Sequence, residues 1–336
     1  MIGMATGQLI IGVLSDTFGR KRFIVGGAAL ALITSLLCAI APNIGILIAA
    51  RFLQGLGSGA CVVLARSIIP DITSGVAAAK AFSWMGIISG IAPAAAPVLG
   101  SLLVSSLGWR GIFYVLAGIA AAQLLVALFV IPETRPSADR TPLSFGSFTA
   151  VIKEPVFVRY ALVVGFGFAS MFAYISASSF VMQEIMGLSP QIFALVFGTN
   201  ALGLMVGGAL NTRLLDRFPA AAILKIALII MTVAATIVLV CALTGLPRIP
   251  FFLALFFAVM PLSLVMGNAT ALAVAAVRTR AGSASSVMGF GQFLLAGLVS
   301  PLVGMVGGSQ AVGMGVCMVG AAVVAVMMFV LARRAD

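Results

Sequence analysis

The sequence predicts an all-α, polytopic membrane protein of about 11 transmembrane helices, the first of them partial. Three observations carry this. Apolar side chains make up 62% of the chain, against roughly 45–50% in soluble domains. Nineteen Lys and Arg and eight acids are too few charges to coat a water-facing surface. Apolar runs long enough to cross a ~30 Å hydrocarbon core, at ~1.5 Å per residue, recur from one end to the other.

In chain order, Met1 to Leu14 is apolar but would extend only about 21 Å as a helix, so it is the partial span. It lacks a basic leader and a small-residue cleavage site and runs directly into Ser15, Asp16 and Gly19, which argues against a signal peptide. Ten full spans are expected near residues 23–41, 44–65, 79–105, 111–131, 160–182, 191–212, 220–244, 250–273, 284–306 and 311–331.

The polar connection from Pro132 to Pro155 carries four prolines and divides the chain into an incomplete N-terminal bundle (1–131), a cytoplasmic linker (132–157) and a six-helix C-terminal bundle (158–336). The loop Ser15 to Arg22 after the first span has a weaker echo, Leu215-Asp216-Arg217-Phe218, after the second span of the later half. Such an internal repeat is common in secondary transporters.

If the loops alternate sides, sixteen cations, from Arg20, Lys21 and Arg22 to Arg333 and Arg334, fall on one face, and only Arg110 and Arg248 flank the other. The positive-inside rule assigns the first face, and the C-terminus with it, to the cytoplasm of a multi-pass plasma-membrane protein. With both ends inside, one more helix would be required before Met1. The cations form short clusters rather than a continuous stripe, so no nucleic-acid partner is expected.

The absence of His removes imidazole bases and the usual metal triads. Cys38, Cys61, Cys241 and Cys317 sit in apolar runs without C-x-x-C spacing and read as packing residues. Neither enzymatic activity, nor a metal, nor a cofactor is expected.

Gly12-x-x-Ser15-Asp16-x-x-Gly19-Arg20-Lys21-Arg22 places a turn, an acid and three cations at a helix end. It reads either as a conformational latch, whose charge contacts differ between two states, or as an ordinary positive-inside loop. Arg51, Gln54, Gly55 and Ser58 form one polar stripe on an otherwise apolar helix. An intramembrane Arg lines a wet cavity or clamps carbonyls.

Gly86, Gly90, Pro93, Pro97 and Gly100 give the fourth span a small, proline-bent packing face. Ser170, Met171, Tyr174 and Ser178 recur on one face of the span at 160–182, and Asn200, Asn268 and Gln292 are isolated amides elsewhere. They read as a cavity wall for apolar or weakly cationic ligands, or as interhelical hydrogen-bond glue. All eight acids lie at helix ends or in loops, so the residues themselves name no proton carrier.

The Gly12–Arg22 loop and Arg51-x-x-Gln54-Gly55-x-Gly57 resemble signature motifs of the major facilitator superfamily. Gly90-Ile91-Ala92-Pro93-Ala94-Ala95-Ala96-Pro97-Val98-Leu99-Gly100, Gly108-Trp109-Arg110, Pro132-Glu133-Thr134, Phe172 to Ser178, Gly187-Leu188-Ser189-Pro190 and Ala281 to Ser285 resemble its Bcr/CflA drug-resistance efflux branch.

The resemblance implies a major-facilitator-type two-bundle fold and a monomer in the lipid bilayer. It also implies alternating-access efflux of small amphipathic drug-like molecules, with protons as the coupling ion. The chain departs from the family pattern in lacking the family's first helix, which often bears a membrane-embedded acid, and in having Ala96 and Ser101 where glycine is typical. The alternative is a truncated, transport-inactive or non-transporting scaffold or sensor derived from such a transporter.

Overall fold

A computed structural model describes residues 1–72, 75–134, 146–277, 281–306 and 309–334. Within these, several side chains lie outside the description, among them Asp16, Arg66 and those of 75–95. The described residues form α1 (Ile2–Phe18), α2 (Arg20–Ile40), α3 (Ile44–Ile72), α4 (Gly75–Phe129), α5 (Gly146–Ile152) and α6 (Pro155–Ser179). They continue with α7 (Pro190–Leu215), α8 (Ala220–Leu243), α9 (Arg248–Val259), α10 (Leu262–Ala276), α11 (Ala281–Met305) and α12 (Gln310–Arg333). Among the described residues nine helical runs are long and apolar enough to cross a membrane, and Ile2–Gly12 is a shorter apolar one.

Helix boundaries follow local chemistry. Asn43 accepts from the Ile46 N–H at 3.0 Å to open α3. Ser189 and Ser309 do the same for α7 and α12, accepting from Ile192 at 3.3 Å and Val312 at 3.4 Å, and Pro190 at the first helical position needs no N–H partner. Gly19, at φ 98° and ψ 150°, separates α1 from α2. A side chain is disfavoured there, so the chain turns at once from one helix into the next.

The breaks in the helices have physical causes. The spans expected at 79–105 and 111–131 meet within α4 at Gly108, whose φ of 66° breaks the helix without a loop. The first of these spans falls mostly on side chains outside the description. The span expected at 250–273 is present as one apolar run, Arg248–Ala276, bent between α9 and α10 at Met260–Pro261, where proline removes a donor and its ring crowds the preceding turn. The span at 160–182 runs on through a π-helical turn, Phe180–Ile185, an insertion that shifts the register of the side chains beyond it.

The helices pack as two compact units. The first comprises Met1–Gly86, Leu99–Thr149 and Ser285–Phe293. In it α3 packs against both α1 and α2, and Ile24, Val63, Leu64, Ile68 and Ala127 form a buried cluster. The second comprises Ile87–Val98, Ala150–Ala284 and Leu294–Asp336. There α12 packs against α6 and α8, and α10 against α6, α7 and α8. Its core holds Tyr174, Met182, Phe193, Phe197, Phe251 and Met314 among the buried residues.

Candidate functional site

At the α1–α2 turn three separated stretches of the first unit converge. The Glu133 carboxylate accepts from the backbone N–H of Arg20 at 2.9 Å and of Lys21 at 3.3 Å. It thereby caps α2 from more than a hundred residues away, placing negative charge at the positive end of that helix. The Arg20 side chain is 6% exposed and forms an ion pair with Asp71 at the end of α3. The Thr134 hydroxyl donates to the same carboxylate at 3.1 Å.

Of the predicted latch residues, Gly12, Gly19 and Arg20 are buried, Lys21 is half-buried and Arg22 is exposed. The side chain of Asp16 lies outside the described residues. Asp71 was legible in the sequence only as an acid at a helix end and Glu133 only as part of Pro132-Glu133-Thr134; nothing in the local spacing ties them to Arg20.

In α3 the polar stripe is a directed chain of hydrogen bonds. Arg51 donates to Gln54 Oε1 at 2.6 Å, Gln54 Nε2 donates to Ser35 Oγ at 2.6 Å, and Ser35 donates to the Ala31 carbonyl at 2.6 Å. Gln54 and Ser35 are buried, while Arg51 is exposed and lies 5.6 Å from the Phe113 ring centroid. Arg51 pairs with no carboxylate among the described residues. Ser58 is half-buried, and Gly55 lies against the backbone of Met4 in α1.

The second unit holds two buried clusters of amides. Asn200 donates to the Tyr174 hydroxyl at 2.9 Å, and the Tyr174 ring stacks on Phe197 with centroids 5.5 Å apart. Asn268 donates to Asn211 Oδ1 at 2.7 Å and to the Leu264 carbonyl at 2.8 Å. Asn211 was not singled out in the sequence, because a lone amide near a helix end carries no spacing signal.

Ser170 and Ser178 donate to the carbonyls of Met318 and Ile175 at 3.2 Å. Met171 and Gln292 are half-buried. The backbone at Gly86, Gly90, Pro93 and Pro97 is helical, but their side-chain surroundings lie outside the described residues; Gly100 is half-buried with open space around it.

The two cations predicted to flank the sparsely charged face do the same job in the two units. Arg110 donates to the Ala41 carbonyl at 3.2 Å, and Arg248 to the Met186 carbonyl at 3.3 Å. Each satisfies a carbonyl at a helix end, where positive charge is favoured. The four cysteines are free, and among the described residues no three His, Cys, Asp or Glu gather to hold a metal.

Comparison with known proteins agrees with this architecture. An uncharacterized MFS-type transporter, YdgK of Bacillus subtilis (strain 168), is 36% identical over 335 residues, which is 98% of this chain and 83% of that protein. The bicyclomycin resistance protein homolog of Haemophilus influenzae (strain ATCC 51907 / DSM 11121 / KW20 / Rd) is 30% identical over 305 residues, 90% of this chain and 77% of the relative.

The crystal structure of the human organic anion transporter MFSD10 superposes with a TM-score of 0.72 at 18% identity, covering 98% of this chain and 81% of that one, a likeness of fold. The sequence profile of the Major Facilitator Superfamily spans residues 1–301. With its apolar helices, its charge-stitched first turn and relatives aligned along most of its length, the chain belongs to the Major Facilitator Superfamily of membrane transporters.

Proposed function

We propose that this transporter exports small amphipathic drug-like molecules across the plasma membrane by alternating access, in exchange for protons, as a monomer with its C-terminus in the cytoplasm. The bundles at 1–131 and 158–336 would rock about the linker at 132–157, and the contacts of Arg20 with Asp71 and Glu133 would form in one state and loosen in the other.

The observation that carries the reading is Arg51. A guanidinium within an apolar span, exposed and without a carboxylate partner among the described residues, is costly in lipid and is stable where it meets water or a ligand. The Gln54–Ser35 chain holds it in place. Met171 in the second unit and Gln292 in the first, both half-buried, supply adaptable and polar surface, and Tyr174, Ser178, Asn200 and Asn268 are buried within the second unit. The bicyclomycin resistance relative supports a drug as substrate.

Reconstituted vesicles carrying an imposed pH gradient test this with ethidium and bicyclomycin as solutes. Saturable, gradient-dependent movement that falls at least tenfold in Arg51→Ala at equal incorporation is expected. Flux unaltered by the substitution would remove Arg51 from the mechanism, and no flux with any solute would favour a non-transporting scaffold.

A further inference from the structure

The second unit carries an apolar cleft of about 210 Å³ where α7 ends, α8 begins and α9 gives way to α10. Its walls include Leu214, Phe218, Ile226, Ile230, Met260 and Leu264, and every lining side chain is apolar. Along α8 the lining runs from Ala222 to Ile230, about 12 Å at ~1.5 Å per residue and thus most of one ~15 Å leaflet. Phe218 and Ile226 remain 52% and 59% exposed. A drug-sized ligand would find no polar group there to orient it.

The rim supplies what the walls lack. Arg213, Arg217 and Lys225 are each the chain neighbour of a lining residue, all three are exposed, and none makes an ion pair among the described residues. The single acid between residues 211 and 230 is Asp216. α8 starts at Pro219 without a side-chain cap, leaving the positive end of the helix open to an anion. Lys225 lies one turn into α8 and is exposed, and a lysine stem is long and apolar enough to carry its charge from such a position to the interface. An apolar slot of one-leaflet depth, with three exposed cations next in sequence to its lining, matches the two ends of one molecule.

We propose that this cleft holds an acyl chain of an anionic phospholipid from the leaflet at this face, with its headgroup phosphate bound by Arg213, Arg217 and Lys225. The site is independent of which solute the protein moves. Each cation near an anionic headgroup favours it about fivefold, so a net preference of at least tenfold over a zwitterionic lipid is expected after the opposing charge of Asp216.

Native mass spectrometry of the delipidated full chain in detergent, titrated separately with palmitoyl-oleoyl phosphatidylglycerol and phosphatidylcholine, reads this directly. One tightly retained phosphatidylglycerol, at least tenfold preferred, is expected. The triple variant Arg213→Gln/Arg217→Gln/Lys225→Gln should lose the preference, and Ala222→Phe, which fills the slot, should lose retained lipid of both kinds. Ile226→Gln, on the exposed lip and harmless to packing, should weaken retention at least threefold if Ala222→Phe does not fold. Equal retention of the two lipids by the unmodified protein, or a preference that survives loss of the three cations, overturns the proposal. So does lipid retained undiminished when the slot is filled or its lip made polar.

Discussion

Gly57→Ala separates helix packing from helix propensity. A Cβ at Gly57 would lie 2.6 Å from the Gly27 carbonyl oxygen and 3.0 Å from the Ala31 nitrogen, where ordinary contact begins at 3.4 Å. α2 and α3 must therefore part by roughly 0.8 Å, and a gap of ~0.5–1 Å forfeits a quarter to a half of the dispersion energy across the seam. Lipid tails are as apolar as the helices, so this packing is what holds them together, and a cost of about 1–3 kcal/mol follows.

Gly26 is the control: it is also within α2, but a Cβ there meets nothing within 4 Å. Gly26→Ala should be neutral or stabilising by up to ~1 kcal/mol through helix propensity. Thermal unfolding in detergent, followed with a thiol-reactive dye on buried Cys38 and half-buried Cys61, should lower the apparent Tm of Gly57→Ala by several degrees and leave Gly26→Ala at or above the parent. If both variants melt together, backbone contact between α2 and α3 does not hold the first unit.

Asp71→Ala removes one ion-pair partner of the buried Arg20. Because the Asp71 side chain is 21% exposed, the loss is set at about 2–3 kcal/mol, below the ~3–5 kcal/mol of a fully buried pair. Apparent Tm measures it, and Glu133→Ala should add about 1 kcal/mol by uncapping α2. Asn268→Leu leaves the Asn211 carbonyl oxygen without its donor and should cost about 1–2 kcal/mol, whereas Asn211→Leu/Asn268→Leu should cost less than the two single changes summed, as a thermal double-mutant cycle reads out.

Much of the architecture was readable because the bilayer imposes one solution on apolar runs. Backbone groups in hydrocarbon must pair within their own segment, so run length alone identifies helices. α2, α8 and α12 begin and end within a few residues of the expected bounds. The break expected between 105 and 111 falls at Gly108, whereas the bend at Pro261 within the single run Arg248–Ala276 left no mark in hydropathy, which continues unbroken through it. Gly55 was visible as part of a motif, but the glycines Gly3 and Gly7 of α1, which also lie against the facing helix, were not recognised. A packing seam has two sides, and spacing describes one.

Composition, run length and the distribution of Lys and Arg were sufficient for the membrane environment, the helical class and the family motifs, because these depend on transfer free energy and local backbone pairing. Which charges meet depended on the tertiary fold. Arg20 finds Asp71 and Glu133 across 51 and 113 residues of chain, Arg110 and Arg248 find distant helix-end carbonyls, and Asn268 finds Asn211. A one-dimensional pattern records the period of a single helix, whereas the partner of a buried polar group is selected by the desolvation cost of leaving it unpaired, and that selection is made among whichever helices the packed bundle brings into reach.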